Sequence, residues 1–232
     1  MPGRPPAPLS RAVIVAAAAG VLVNDGYDAL SMRTVAARLG VKASALYWHV
    51  HNKSDLRLLP FDALVDTVVY PPLEGPWERD LCKAAEVLKT FLLETKGVSR
   101  LLLDADVDAR RPIKFVERVL GILRPTALHE REGLHAYGHL ISFIVGWVRL
   151  ETVKRAKVAR GEIAVGTASG EISNLGWSDE AAKGLFEPED DFGYGLLSIV
   201  NGLRARMAAV KSEPPLTSKE WAGTLRRTAK GE

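Results

Sequence analysis

The sequence predicts an all-α protein in two parts: a three-helix helix-turn-helix unit, then a larger helical domain. Three observations carry that expectation. No segment alternates apolar and polar residues with period two for long enough to suggest a sheet, while apolar residues recur at helical spacing along most of the chain. Two short helical segments are hinged at Gly40, the residue that most readily takes the left-handed conformation ending a helix. Two long apolar stretches, near Gly133–Lys157 and Asp190–Val210, have the length of bundle helices.

Residues 1–9 contain four prolines and predict a disordered arm, with Arg4 placed to reach a minor groove if the arm has a role. Ser10 is positioned to cap a helix running to Asn24, with Ile14, Ala18, Val21 and Leu22 on one face and Asn24-Asp25-Gly26 as its stop. Ser31 caps a second helix, Met32–Leu39, and Ala43–Val50 predicts a third. Val35, Ala36, Leu39, Val41 and Leu46 supply the small core between the last two. In a helix-turn-helix the second of the hinged helices enters a DNA major groove. Residues 10–56 are therefore expected to bind DNA. Arg33, Tyr47, His49 and Lys53 are assigned to phosphates, and Lys42, Ala43 and Ser44 lie nearest the base edges.

Charge agrees with that division. Of the formal net charge of +3, residues 1–57 hold seven Lys/Arg against three Asp, and the rest holds 24 basic against 25 acidic residues. The basic excess belongs to the segment expected to meet a phosphate backbone.

Asn52, with Asp55 three residues on, makes a box-like start for a connector helix running from Lys53 or Ser54 towards Val69, where Pro71-Pro72 ends it. Pro76 opens a helix with Leu81, Ala84, Leu88, Phe91 and Leu92 on one face, closed by Gly97. A short piece spans Ser99–Leu103, and Pro112 starts a helix through Ile113, Val116 and Leu120. Gly133–Lys157 carries two apolar stripes, one with Leu134, Tyr137, Ile141 and Val148, the other with Leu140, Phe143, Trp147 and Leu150. Such a helix is expected to be buried on two sides. Gly161–Gly176 reads as a glycine-rich loop. The last helix aligns Phe192, Leu196, Ile199, Leu203, Met207 and Val210, with acidic residues at its start and basic ones at its end. That stripe is the expected seam of a homodimer, in which two such helices from each copy form a four-helix contact. Residues 57–211 thus form an effector-binding and dimerisation domain, and 212–232 a loose tail.

No P-loop, dinucleotide fingerprint, Cys/His zinc spacing or Gly-x-Ser-x-Gly elbow occurs, so no enzyme, cofactor or metal site is expected. His135 and His139 are four apart, a spacing that suits a metal but also a cavity lining or solvated side chains. One cysteine, Cys82, the absence of a signal peptide, and a longest apolar run of twelve residues (Ala12–Val23) predict a cytoplasmic protein without a membrane span. Phe143 and Trp147 are candidates to line a cavity for a mostly apolar effector, with Asp106 and His139 as its polar groups. The same rings also suit an ordinary core.

The run Leu46-Tyr47-Trp48-His49-Val50-x-Asn52-Lys53, directly after Gly40-Val41, resembles the tetracycline-repressor (TetR) family and within it the tetracycline repressors proper. Leu30-Ser31-Met32-Arg33 before Val35-Ala36 and Leu39-Gly40 is a second match. The resemblance implies a repressor released from a pseudo-palindromic operator by a small molecule, with an activator or effector-independent regulator as the alternative. It also implies dimerisation through two late helices per subunit. This chain departs from the tetracycline repressors in two places. No histidine lies between His51 and His129, where they use one to hold a magnesium–drug complex, although Asp106 or Asp108 can replace a ligand. Lys42-Ala43-Ser44-Ala45 stands where they carry a Gln and a Thr able to reach base edges, which implies a different operator.

Overall fold

The computed structural model describes residues 9–95, 97–101, 103, 113–162 and 188–209. Among these residues there are nine helices and no strand: α1 (Arg11–Asp25), α2 (Met32–Leu39), α3 (Ala43–Leu46), α4 (Lys53–Val65), α5 (Trp77–Glu94), α6 (Val98–Leu101), α7 (Ile113–Leu123), α8 (Glu130–Ala159) and α9 (Pro188–Ala209). The N-terminal arm up to Pro8, Pro112, most of the glycine-rich loop and the C-terminal tail lie outside the described residues.

Local chemistry sets the first elements. The Ser10 hydroxyl accepts from the Val13 amide at 3.3 Å and starts α1. Ser31 does the same for Thr34 at 3.1 Å and starts α2. Gly40 ends α2 in the left-handed region (φ 67, ψ 26), which lets the Val41 amide reach back to the Ala36 carbonyl at 3.0 Å. Ile14, Ala18, Val21 and Leu22 of α1, Val35 and Ala36 of α2 and Leu46 of α3 then bury together, with α1 lying along both α2 and α4.

Two spans are shorter than expected. The third helix closes at Leu46 rather than Val50, because the Leu46 carbonyl accepts both His49 and Val50 amides at 2.9 Å. That sharing tightens the last turn. The connector α4 stops at Val65 rather than Val69. The Thr67 hydroxyl (2.6 Å) and amide (3.0 Å) both take the Leu64 carbonyl, and Val68 bonds three residues back. Pro60 sits inside α4, where it removes one backbone donor.

The helical body packs α5 against α7 and α8, with α6 touching α5, α8 and α4. The 30-residue α8 begins at Glu130, because His129 Nδ1 accepts from the Arg131 amide at 3.3 Å. Its two expected stripes merge into one buried face of Ala136, Tyr137, Leu140, Ile141, Ile144 and Val148, leaving Leu134 (54%) and Leu150 (73%) exposed at the edges. Glu151, only 8% exposed, accepts from Arg155 at 2.8 Å, and Arg155 reaches Glu94 of α5 at 3.2 Å.

The α9 stripe requires a correction. Phe192, Leu196, Val200 and Leu203 are buried within the chain against α8 and α5, so they are core and not an outer seam. The outward face of α9 is a different row: Tyr194, Leu197, Asn201, Ala205 and Ala208.

Candidate DNA interface and helical body

The hinge at Gly40 and the buried anchors Leu46 and Val50 decide which side chains of the helix-turn-helix face solvent. Leu46 and Val50 point inward, and between them Tyr47 and Trp48 point out, 55% and 87% exposed. Arg33 on α2, Lys42 just before α3 and Ser44 within it are exposed, whereas Ala43 and His49 are half-buried. His49 is held through its backbone, its carbonyl accepting from the Arg11 guanidinium at 3.4 Å. Lys42, Ala43, Ser44 and Tyr47 are thus brought together on α3 and the turn after it, with Arg33 on the preceding helix. Lys53 is the first residue of α4.

The start of α4 fixes the loop behind this surface. Asn52 Oδ1 accepts the Asp55 amide at 2.8 Å, and Asp55 Oδ2 accepts the His51 amide at 3.1 Å. It is a capping box displaced by one residue, closing on His51 instead of on the cap itself. On the other side Arg38 pairs with Asp25 at 3.6 Å and ties α2 to the end of α1.

Trp48, the most exposed side chain of this turn, is not among the residues expected to meet DNA. A signal for it exists: Leu46 and Val50, four apart and apolar, fix the inward direction, and Trp48 lies halfway round the turn from both.

In the body, the aromatic residues singled out from the sequence meet one another. The Phe143 ring stacks on Phe192 with centroids 5.2 Å apart, and Trp147 meets the same ring edge-on at 5.1 Å. The Lys89 ammonium lies 4.5 Å from the Phe192 centroid and 5.6 Å from that of Trp147. His139, one turn before Phe143, is exposed, and Asp106 lies outside the described residues. A second aromatic row runs Tyr70–Phe115–Tyr137, with centroids 5.9 and 6.0 Å apart. Burial, and next the neighbouring Tyr137, holds the Tyr70 phenol well above its usual range. Arg118 donates to the Pro71 carbonyl beside it. A cavity of about 570 Å³ opens elsewhere, lined by Trp77, Pro125, Thr126, Ala127, Met207 and Ala208, so it contains none of the expected effector residues.

Besides the connector α4, the helical body also meets α1 at Gly97, between α5 and α6. Gly97 has φ 80, and a Cβ there would lie 2.6 Å from Leu22 Cδ1 and 2.9 Å from the Leu22 carbonyl oxygen. The body therefore rests directly on α1.

Among the described residues no helix is long and apolar enough to cross a membrane. Residues 14–58 match the tetR family of bacterial regulatory proteins, and residues 71–207 match the tetracyclin repressor-like C-terminal domain. An HTH-type transcriptional regulator of Saccharopolyspora erythraea is 31% identical over 148 residues, which is 63% of this chain and 63% of that protein's length. The HTH-type transcriptional repressor DrrR1 of Streptomyces coeruleorubidus is 28% identical over 241 residues, covering 91% of this chain and 84% of that one. The crystal structure of apo ActR from Streptomyces coelicolor superposes with a TM-score of 0.68 at 28% identity, over 88% of this chain and 99% of that chain. ActR has also been crystallised with actinorhodin and with (S)-DNPA. With both of its parts matched and the helix-turn-helix in place, this chain belongs to the TetR family of transcriptional regulators.

Proposed function

We propose that the protein is a homodimeric, cytoplasmic repressor that holds a pseudo-palindromic operator and is released by a small, mostly apolar molecule bound in the helical body. The observation that carries the reading is the surface of α3 and its following turn. Its apolar anchors are buried, while Lys42, Ser44, Tyr47 and Trp48 stand exposed on the unit that holds the basic excess. Base edges fall to Lys42, Ala43 and Ser44. Phosphates fall to Arg33, Tyr47, His49 and Lys53. A repressor among the relatives, DrrR1, and the ActR–actinorhodin complex support repression and ligand control.

Dimerisation is supported by the outer row of α9, where Tyr194 is 78% and Leu197 55% exposed in the single chain. An isologous pairing of that row covers both residues and sets two copies of α3 about one helical turn apart. Release then requires the effector to prefer a spacing that no longer fits. Moving the population from almost all competent to almost none takes about 5.5 kcal/mol of preference. Reciprocity requires operator to weaken effector by the factor that effector weakens operator.

Fluorescence polarisation on a selected operator tests the division of labour. Lys53→Ala should weaken every sequence and lower the salt slope by about one, whereas Lys42→Ala should change which sequences are chosen. Identical behaviour of the two variants on shuffled sites contradicts the assignment.

A further inference from the structure

The cleft at the start of α5 lies a helix length away from the contact at Gly97. Its volume is about 570 Å³, and among the described residues its walls are Trp77, Pro125, Thr126, Ala127, Met207 and Ala208. They come from the start of α5, the turn between α7 and α8, and the end of α9. Met207 lies about 22 Å along α9 from Phe192 at the helical rise, so the cleft is separate from the Phe143–Trp147 ring cluster.

Each wall is fixed locally. The Pro76 carbonyl accepts the Arg79 and Asp80 amides at 3.0 and 3.2 Å and sets Trp77 in the first turn of α5. The Leu123 carbonyl takes both the Thr126 amide (3.0 Å) and the Thr126 hydroxyl (2.6 Å), which closes the turn before α8. Two ion pairs hold the end of α9 to its neighbours: Arg204 to Glu78 of α5 at 3.1 Å, and Arg206 to Glu132 of α8 at 2.9 Å. The cleft is therefore formed before any ligand enters.

The chemistry of the walls selects the guest. No lining residue is charged, and the four charges of the two ion pairs are spent on one another. An ion entering the cleft would lose water without finding a counter-charge. The Trp77 indole offers a flat face, and the Met207 thioether an adaptable, polarisable one suited to an aromatic edge. Both are only half-buried in the single chain. The volume falls in the range of small-molecule sites. Thr126 carries the only hydroxyl of the lining. Its proton is spent on Leu123, and the Leu128 amide reaches it only at 3.4 Å, so it can accept from a ligand but has no proton to give.

We propose that this cleft binds an uncharged, flat aromatic molecule carrying one hydrogen-bond donor, of the phenol or indole type. The ring lies between Trp77 and Met207, and the donor meets Thr126 Oγ1. The site stands apart from the effector reading above and does not depend on it. Its occupant joins the start of α5 to the end of α9, whose outward row finishes at Ala208, one of the walls.

Calorimetric titration of the full chain with 2-naphthol at neutral pH tests the proposal. Naphthalene-2-sulfonate is the charged control and 2-methoxynaphthalene the control without a donor. The expected result is saturable binding of one 2-naphthol per chain, hardly changed by salt. The sulfonate should bind about tenfold more weakly or worse, because its charge is desolvated without compensation. The methoxy compound should bind about threefold to tenfold more weakly through the loss of one neutral hydrogen bond. Met207→Glu sets a charge in the wall and should weaken 2-naphthol by about tenfold or more. If that variant disturbs α9, Ala127→Trp on the exposed turn replaces it, filling the cleft and abolishing binding. Lys89→Gln, at the distant ring cluster, should leave affinity within about twofold. No saturable heat with the wild type overturns the proposal, and is the result expected if a second copy of the chain covers the cleft from the adjoining row of α9. Equal binding of either control, unchanged affinity in both wall variants, or loss of binding in Lys89→Gln overturns it as well.

Discussion

Replacing Gly97 by alanine probes a contact at which the helical body touches α1 of the DNA-binding part. Two penalties act together. At φ 80 an L side chain costs about 1–2 kcal/mol. The new methyl also arrives 2.6 Å from Leu22 Cδ1 and 2.9 Å from the Leu22 carbonyl. Leu22 is fully buried, and its carbonyl is held by the Gly26 amide at 3.1 Å, so neither atom can swing away and α1 must shift. Overpacking of this kind adds about 1–3 kcal/mol. The expected loss is about 2–5 kcal/mol, the sum of those two ranges. Urea denaturation at fixed protein concentration measures it, since the stability of the proposed dimer would depend on concentration. A double-mutant cycle isolates the steric part. Gly97→Ala combined with Leu22→Ala removes the clash with Cδ1 but keeps the backbone penalty, so the pair should be less than additive by about 1 kcal/mol. A single-variant loss within about 0.5 kcal/mol of wild type, or strict additivity, refutes the contact.

Other expectations follow from the same geometry. Leu197→Glu places a charge on the outer row of α9 and should yield well-folded monomers with weak operator binding; sedimentation showing wild-type monomer at micromolar concentration contradicts the seam. Tyr70 keeps its proton in the folded chain while the unfolded chain ionises near pH 10, so its contribution is full below that pH and lost as pH rises. Tyr70→Phe should remove that alkaline loss. It should change neutral-pH stability by less than about 1 kcal/mol, because the hydroxyl has no hydrogen-bond partner among the described residues. An unchanged alkaline profile rules this out. Asn52→Ala removes the acceptor for the Asp55 amide and should cost about 1 kcal/mol, with weaker operator binding because the loop behind α3 loosens.

Much of the DNA-binding part was legible because its signals are local. Ser10, Ser31, Gly40 and Asn52 act on amides or carbonyls within a few residues, and Leu46 with Val50 turns Tyr47 and Trp48 outward. The same logic reaches Trp48 once those two anchors are read together. The α9 helix shows where periodicity runs out. Phe192, Leu196 and Leu203 face inward while Tyr194 and Leu197 face outward. All five are apolar, so the sequence marks two rows without saying which one meets its own chain. Contacts distant in sequence were harder still. Gly97 reads as a helix stop, yet a side chain there would run into Leu22 of α1. Lys89 lies over Phe192 and Trp147 only because α5, α8 and α9 pack together.

The central claim is that two copies of α3 read adjacent major grooves of one operator. Selection of bound fragments from random duplex DNA by the full-length protein, followed by hydroxyl-radical footprinting of the enriched sequence, tests it most directly. The account predicts a pseudo-palindrome whose protected half-sites are centred about one helical turn apart, with protection lost in Leu197→Glu. Enrichment of no sequence, or of a single half-site protected equally well by Leu197→Glu, contradicts it.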